Sequence, residues 1–191
     1  MIIKNYKIFK PYGYISQFVN NQSTRKNKKL LGELYPFPAD VMAIGRLDED
    51  SEGLLLLTTS GKLSEVVRSK QVEKEYYAQV DGQITSTAIA ALKAGVNIGN
   101  GKGEFTSLPC RVSLLVKAPE FPKRTKKIRD ERHGPTSWVS ITITEGKFRQ
   151  VRKMTAAVGF PTLRLVRVRI GQEVITGMQP ADVIPVEEFN L

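Results

Sequence analysis

The chain has 191 residues, 41% of them hydrophobic, which is typical of one packed domain or two small subdomains that share a sheet. Its 29 Lys and Arg exceed its 19 Asp and Glu, and the net charge of +10 favours a polyanionic partner, nucleic acid ahead of an anionic membrane surface. The sequence contains neither an apolar run near the roughly 20 residues that span a bilayer nor the apolar segment of a signal peptide. We therefore expect a cytoplasmic protein.

Two residue types occur only once, and this limits the possible chemistry. A lone Cys110 excludes an internal disulfide and a zinc site built from several cysteines, and a lone His133 excludes histidine triads and His-rich metal sites. Catalysis would therefore use carboxylate, hydroxyl or cationic groups. We expect Cys110 to be a packed thiol and His133 to be a loop residue.

The first part of the chain predicts two short strands around a turn. Residues 6–18 carry the strand pattern, and Lys10-Pro11-Tyr12-Gly13 forms the turn because Pro fixes one dihedral angle and Gly frees another. A polar loop follows at residues 20–29. Its cations have no neighbouring acid, which is typical either of a solvated loop or of a phosphate-binding arm: Arg25, Lys26, Lys28 and Lys29.

Residues 45–59 join a polar turn to a run of four leucines. The leucines predict a buried strand, which would hold the turn before it in a fixed position. The turn contains three candidate carboxylates: Asp48, Asp50 and Glu52. Their spacing matches the start of a calcium-binding loop, but Thr59 stands at the twelfth position, where a Glu is required. A plain acidic surface turn is the other interpretation.

Helices and strands alternate through the middle of the chain. Ser60 is placed to cap a helix that contains Leu63, Val66 and Val67, and Gly95 is placed to end a second helix. The predicted elements are a helix after residue 60, a strand at 73–80, a helix at 85–94, a turn at 99–103 and a strand at 107–116. Tyr76 lies in the first of these strands, where a tyrosine by itself is usually part of the core.

Residues 117–137 are rich in proline and basic residues and lack a helix or strand pattern. A loop of this length in a compact domain is usually functional or mobile. A strand at 138–143, a helix near residue 149, a strand at 163–170 and a short strand-rich tail should follow. These elements, without an internal repeat, predict an α+β fold with a mixed sheet.

The helix near residue 149 should have two unlike faces, and Gly159 and Pro161 should end it. The apolar face consists of Val151, Met154 and Val158, and the cationic face consists of Arg149, Arg152 and Lys153. Residues 147–169 contain seven Lys or Arg and no acid. The cationic face should therefore meet either phosphates or a buried carboxylate.

Four motifs in this order resemble those of a family of ribosomal RNA pseudouridine synthases, the one that comprises small-subunit synthase A and large-subunit synthases B, E and F. They are Lys10-Pro11-x-Gly13, Gly45-Arg46-Leu47-Asp48-x-x-Ser51-x-Gly53 with its leucine run, Lys74-x-Tyr76, and Glu145-Gly146-Lys147-x-Arg149-Gln150-Val151-Arg152-Lys153-Met154. The similarity runs from about residue 4 to the C terminus. Phe148 and Lys153 depart from the family pattern, in which Asn and Arg are commoner.

Within that family the chain is most similar to the large-subunit (23S) rRNA synthase E branch. Two features carry this resemblance. The motifs begin almost at Met1, so we expect no N-terminal S4-type RNA-binding domain, and the basic insertion runs into Pro135-Thr136-Ser137-Trp138. The resemblance implies a single catalytic domain over residues 1–191, with a mixed, mainly antiparallel sheet flanked by helices and loops and an active-site cleft across the sheet.

The resemblance further implies isomerisation of uridine to pseudouridine in ribosomal RNA, by a monomer that needs no metal or cofactor. Asp48 would be the essential carboxylate, which either attacks the nucleotide or removes a sugar proton. Arg152 would pair with Asp48 and keep it ionised, and Tyr76 would stack on the flipped base. The implied RNA contacts are Arg46, Lys74, Arg149 and the insertion residues Lys123, Arg124, Lys126 and Lys127.

Two other functions fit parts of the sequence. The charge alone fits a non-catalytic rRNA-binding or ribosome-assembly protein of the same fold. The three carboxylates Asp48, Asp50 and Glu52 fit, more remotely, a metal-dependent nuclease. Substitution of Asp48 by Asn separates the first of these from an isomerase, and chelation of metal separates the second.

Overall fold

The computed structural model describes residues 3–19, 27–69, 71–99 and 103–191. The loop cations Arg25 and Lys26 lie outside these ranges. Residues 100–102 of the predicted turn at 99–103 lie outside them as well. The strands are β1 (Asn5–Lys10), β2 (Tyr14–Ile15), β3 (Lys29–Leu30), β4 (Met42–Ala43), β5 (Glu52–Thr58), β6 (Lys74–Asp81), β7 (Arg111–Leu115), β8 (Thr136–Ile143), β9 (Thr162–Ile170), β10 (Glu173–Val174) and β11 (Val183–Val186). The helices are α1 (Gly61–Arg68), α2 (Ser86–Ala94) and α3 (Gln150–Ala157).

One mixed sheet organises the molecule, with strand order β11-β1-β5-β9-β6-β8-β7. Neighbouring strands along this order are antiparallel except for β5 and β9, which are parallel and pair over Glu52↔Val166 and Gly53↔Arg167. The sheet thus consists of two antiparallel halves joined by a short parallel pairing. The α+β fold with a mainly antiparallel mixed sheet is confirmed.

Gly53 allows the two halves to meet. Its φ is 108°, and a Cβ at this position would collide with the Arg167 backbone. The strand that follows Gly53 is buried over its whole length, as the leucine run predicts. The polar turn 48–51 therefore lies beside the junction between the two halves.

Ser60 and Gly95 are the caps that the sequence predicts, and Thr85, predicted as the first residue of the second helix, is its N-cap. Ser60 accepts a hydrogen bond from the backbone nitrogen of Leu63, and Thr85 does the same for Ala88. Gly95 ends α2 with a φ of 100°. Helices α2 and α3 contribute Leu92, Val151 and Met154 to the core against β6, β8 and β9: Ala78, Val80, Val139, Ile141 and Leu165.

Three boundaries differ from the prediction for identifiable reasons. Strand β7 begins at Arg111, because Ser107 is hydrogen-bonded through its backbone and hydroxyl to Val96 in the loop after α2. Strand β8 begins at Thr136, inside the segment predicted as loop. Helix α3 begins at Gln150, because Arg149 is the N-cap and adopts a left-handed backbone with φ 52°.

The basic insertion is anchored to the sheet by its apolar residues. The ring of Phe121 lies 6.2 Å from that of Tyr77 and 5.8 Å from that of Trp138. Arg164 of β9 donates a hydrogen bond of 2.8 Å to the carbonyl of Pro122. The beginning of the insertion therefore packs against β6, β8 and β9.

Candidate active site

A cleft of about 800 Å³ opens at the junction of the two halves of the sheet. Its wall includes the turn around Asp48, the loop 143–149 before α3, and side chains of β6 and β9. Of the residues predicted to act in catalysis or RNA binding, five line this cleft: Arg46, Asp48, Lys74, Tyr76 and Arg149. Residues that are up to about a hundred positions apart in the sequence thus surround one cavity.

The turn that carries Asp48 is held by hydrogen bonds to the first turn of the chain. The buried hydroxyl of Ser16 accepts from the Leu47 nitrogen at 2.9 Å and donates to the Leu47 carbonyl at 2.8 Å. The nitrogen of Gly13 donates to the Glu49 carbonyl at 2.8 Å, and that of Ser51 donates to the Asp48 carbonyl at 3.0 Å. Asp48 is therefore fixed on both sides along the backbone.

Arg149 is the arginine that contacts Asp48. Its Nη1 lies 3.2 Å from Oδ2 of Asp48, and its two Nη atoms each donate a hydrogen bond of 3.0 Å to the carboxylate of Asp50. This bidentate geometry gives the guanidinium a defined orientation. Arg149 was predicted as an RNA contact, but in this structure it bridges two carboxylates in the cleft.

The two carboxylates differ in acidity. Burial raises the pKa of Asp48, and the negative charge of Asp50 adds to this effect, while Arg149 and Arg152 oppose it. Burial also acts on Asp50, but the hydrogen bonds from Arg149 and the charge of Arg152 hold its pKa below the usual value. Asp48 is therefore the more basic carboxylate of the pair.

The predicted ion pair between Arg152 and Asp48 is not formed. Nη2 of Arg152 donates to the Asp50 carbonyl at 2.8 Å and lies 3.5 Å from the Asp50 carboxylate, while Nη1 donates to the Thr162 carbonyl at 3.3 Å. Because the chain turns in a left-handed conformation at Arg149, that side chain enters the cleft and Arg152 lies behind the turn. Helical spacing alone did not distinguish between the two arginines.

Glu52, the third candidate carboxylate, does not lie in the cleft but is buried in the sheet. Its side chain is 2% exposed, and Arg164 binds it through two hydrogen bonds of 2.9 Å and 2.8 Å. The calcium-loop interpretation does not fit, since Asp48, Asp50 and Glu52 each contact an arginine. Within the described ranges, no group of three or more His, Cys, Asp or Glu side chains is arranged to hold a metal ion.

Tyr76 and Arg167 form the opposite part of the cleft wall. Arg167 is 5% exposed, its Nε donates to the Leu54 carbonyl at 2.7 Å, and its Nη1 lies 3.4 Å from the Tyr76 hydroxyl. The centre of the guanidinium is 5.9 Å from the centroid of the Tyr76 ring. The tyrosine is therefore held by a cation that is itself fixed to β5.

The sequence and the fold are similar to those of known proteins. The family model described as RNA pseudouridylate synthase matches residues 6–157. The chain belongs to the RNA pseudouridylate synthase family. It is 43% identical over 174 residues to ribosomal large subunit pseudouridine synthase E of Xanthomonas axonopodis pv. citri (strain 306), covering 90% of this chain and 87% of that protein.

Further relatives give the same family. Ribosomal large subunit pseudouridine synthase E of Vibrio parahaemolyticus serotype O3:K6 (strain RIMD 2210633) is 40% identical, covering 90% of this chain and 68% of that protein. A crystal structure of a pseudouridylate synthase shares the fold, with a TM-score of 0.76 at 22% identity over 96% of this chain and 70% of that chain. The family and fold expected from the motifs are confirmed.

This synthase has two buried lysines, Lys74 in the wall of the cleft and Lys10 within reach of the charges of the turn 48–51. Lys74 is 9% exposed and donates to the Ser69 carbonyl at 3.1 Å, so it is a cleft residue rather than a contact on an open surface. Burial lowers the pKa of Lys74 to about 8, and Arg167 adds to this effect. Burial lowers the pKa of Lys10 to about 7, although the charges of nearby acids, Glu52, Asp50 and Asp48 among them, raise it.

Sequence reasoning assigned no chemical role to Lys10, Ser16 or Arg167. Lys10 is completely buried, and its ammonium donates to the carbonyls of Pro11 and Tyr14 at 3.0 Å and 2.6 Å. The signal for Lys10 was its place in the first motif, and the signal for Arg167 was the run of cations without acids. Ser16 gave no signal, because its contact with Leu47 joins two separate turns.

The basic segments of the synthase divide into exposed and paired cations. Lys123, Lys126 and Lys127 are exposed, whereas Arg124 is half-buried and lies 4.7 Å from the centroid of the Tyr12 ring. Lys28, in the loop interpreted either as solvated or as a phosphate-binding arm, forms an ion pair with Glu49. The described end of the 20–29 loop is thus tied to the turn that carries Asp48.

The single cysteine and histidine have the structural surroundings expected from the sequence. Cys110 donates to the Leu92 carbonyl at 3.3 Å, and burial raises the pKa of its thiol to about 11. His133 is exposed in the insertion, with Nδ1 at 3.1 Å from the Asp130 carboxylate. In the part of the chain that the structure describes, no helix is long and apolar enough to cross a membrane.

Proposed function

We propose that this synthase converts a uridine of large-subunit ribosomal RNA, the 23S molecule, to pseudouridine, with Asp48 as the essential carboxylate. The observation that supports this most is the position of Asp48 at the edge of the cleft, on a turn fixed by Ser16 and Gly13. Its side chain is 27% exposed, so the carboxylate is accessible to a nucleotide. The names of the relatives supply the class of RNA.

The reaction is an isomerisation in which the base is detached, turned and rejoined. The bond from N1 of uracil to C1′ of the ribose breaks, a bond from C5 to C1′ forms, the hydrogen on C5 leaves as a proton, and N1 takes up a proton. Asp48 acts either by attacking the nucleotide or by removing a sugar proton. Both routes require an ionised carboxylate, and the charge of Arg149 favours that form against the effect of burial.

Tyr76 receives the uracil ring in this proposal. A uridine must leave its stack to reach a carboxylate in a cleft, which costs a few kcal/mol. Stacking on an aromatic ring offsets about 1–3 kcal/mol of that cost. Arg167 fixes the tyrosine through its contact with the Tyr76 hydroxyl.

Arg152 takes a positioning role, since it holds the backbone of the catalytic turn at the Asp50 carbonyl. The exposed Arg46 at the cleft and the insertion residues Lys123, Arg124, Lys126 and Lys127 bind the RNA backbone. We propose that the synthase acts as a monomer in the cytoplasm.

Release of tritium from RNA that contains 5-tritiated uridine tests the reaction, because the C5 hydrogen is expelled while the mass of unlabelled RNA does not change. We expect release from large-subunit rRNA, either naked or in precursor particles, and no effect of EDTA. Binding of these RNAs without release from any of them would contradict the proposal and favour a non-catalytic binding protein. Loss of release with EDTA would favour metal-dependent chemistry.

A further inference from the structure

Phe148 lies at the cleft with its side chain in solvent. It is 73% exposed and is the one exposed aromatic residue among the described residues. It also lines the same cavity as Asp48 and Tyr76. A large apolar ring on the rim of a substrate cleft is free to contact a ligand that extends beyond the cleft.

Two lysines lie close to this ring, Lys147 in the sequence and Lys153 in space. The Nζ of Lys153 lies 5.5 Å from the centroid of Phe148, and the Nζ of Lys147 lies 4.7 Å from the centroid of Phe105. Residues 146–153 contain no acid. An aromatic face combined with cations is typical of surfaces that bind single-stranded nucleic acid, where the ring stacks on a base and the cations neutralise phosphates.

The backbone keeps the ring apart from the chemistry of the carboxylates. Arg149, with its left-handed backbone, directs its guanidinium to Asp48 and Asp50, whereas the side chain of Phe148 is exposed. Gly146 has open space around it, so the start of this loop is not enclosed by other parts of the protein. A nucleotide strand that enters the cleft can therefore reach Phe148 without displacing protein atoms of the core.

We propose that Phe148 stacks on an unpaired nucleobase that flanks the uridine in the cleft, and that Lys147 and Lys153 bind the adjoining phosphates. This inference deepens the proposed function and rests on it, since it assigns the contact next to the reacting nucleotide. Stacking of one base on an aromatic side chain is lost on replacement by an aliphatic one. The expected loss of RNA affinity is about 5- to 150-fold.

The test compares three substitutions at one position. Phe148→Leu keeps an apolar side chain without a π face, while Phe148→Tyr and Phe148→Trp keep the face. Ile184→Ala in the edge strand β11, where Ile184 is 40% exposed, is the matched control for loss of an exposed apolar side chain far from the cleft. The probes are a single-stranded oligouridylate and transcribed large-subunit rRNA.

Phe148→Leu should lower the affinity for both RNAs by about 5- to 150-fold. The affinity of Phe148→Tyr should stay within about threefold of that of the unsubstituted enzyme, and the affinity of Ile184→Ala should equal that of the unsubstituted enzyme. The tryptophan emission of Phe148→Trp should be quenched by the oligouridylate beyond any change that Trp138 shows in the unsubstituted enzyme. Equal binding by Phe148→Leu, or equal losses in the Leu and Tyr variants, would overturn the proposal, and so would an absence of quenching. If Phe148→Leu binds RNA as tightly as the unsubstituted enzyme, the ring would serve a contact with protein rather than with RNA.

The test of Phe148 stacking and the test of the proposed reaction can fail independently of each other. Normal tritium release without quenching or weakened binding would overturn the stacking contact alone. Absence of release from the unsubstituted enzyme, with quenching intact, would overturn the proposed reaction and the assignment of the stacked base as a neighbour of the reacting uridine.

Discussion

Two arginine–carboxylate pairs at opposite ends of one short segment perform different tasks. Asp48 and Arg149 meet at 3.2 Å with side chains that are 27% and 35% exposed, whereas Glu52 and Arg164 meet at 2.8 Å with side chains that are 2% and 8% exposed. The chemical groups are the same. Burial and the number of hydrogen bonds, rather than the chemical groups, therefore separate the carboxylate that is accessible in the cleft from the one that is enclosed in the sheet.

The buried pair connects three parts of the fold. Glu52 is the first residue of β5, Arg164 is in β9, and Arg164 also donates to Pro122 of the insertion. Each oxygen of Glu52 accepts a hydrogen bond from Arg164. At the cleft, Asp48 has a single ion-pair contact among the residues that the structure describes, which leaves hydrogen-bonding capacity for a substrate.

The largest effect should come from removing the charge of the cleft carboxylate. Asp48→Asn should lower the rate of tritium release by about 10⁴-fold or more, because the other two acids of this turn are engaged, Asp50 by two hydrogen bonds from Arg149 and Glu49 by Lys28. RNA affinity and the free energy of unfolding should change little. Glu49→Gln, at the neighbouring acid, is the control and should keep most of its activity. Substantial release by Asp48→Asn would contradict the assignment.

Loss of the buried carboxylate should instead reduce stability. Glu52→Gln leaves the Arg164 guanidinium buried and without its counter-charge, and we expect the free energy of unfolding to fall by about 3–5 kcal/mol in denaturant titrations. Lys117→Ala is the control. It removes the ion pair between Lys117 and Glu120, whose side chains are 85% and 84% exposed, and should change the free energy of unfolding by less than about 1 kcal/mol. The double variant Glu52→Leu/Arg164→Met should recover much of the loss. If Glu52→Gln loses no more free energy of unfolding than Lys117→Ala, the buried pair is not needed for stability.

Removal of the cleft arginine should change the pH dependence of the reaction. Asp48 must be ionised, so activity falls as the pH drops through its pKa, which burial has already raised. Arg149 lowers that pKa, and Arg149→Gln should therefore let it rise further and move the acid limb of the pH–rate profile to higher pH. Lys7→Gln, which removes a cation paired with Glu173, should not move the limb. An unmoved or downward-shifted limb for Arg149→Gln would contradict this coupling.

The smallest effect should come from the exposed lysines of the insertion, which belong to neither of the two arginine–carboxylate pairs. Substitution of Lys123, Lys126 and Lys127 by Ala should flatten the dependence of log affinity on log salt by about 2 for single-stranded RNA, at roughly 0.7 for each phosphate contact. Turnover at saturating RNA should be unchanged. Arg124 is left in place because it packs on Tyr12. A slope equal to that of the unsubstituted enzyme would remove the insertion from the RNA interface.

Much of the fold could be predicted because local signals coincide with the structure. The leucine run gave β5, and Ser60, Thr85 and Gly95 bound two helices through contacts made within a few residues. The motifs also marked Asp48 and Tyr76, which both line the cleft. The strand start at Arg111 could not be predicted, since it depends on hydrogen bonds between Ser107 and a distant loop.

The sequence by itself determined the family, the buried strand and the carboxylate at its edge, because these depend on residue type and short-range spacing. Only the tertiary structure decided which arginine meets which acid. Arg149 and Arg152 lie on the same predicted face, and one left-handed residue sends the first to Asp48 and the second to the Asp50 backbone. Likewise, the spacing made Glu52 a candidate like Asp48, and the pairing of β5 with β9 buried it against Arg164. Backbone geometry at one residue and the depth of a strand are properties of the folded chain.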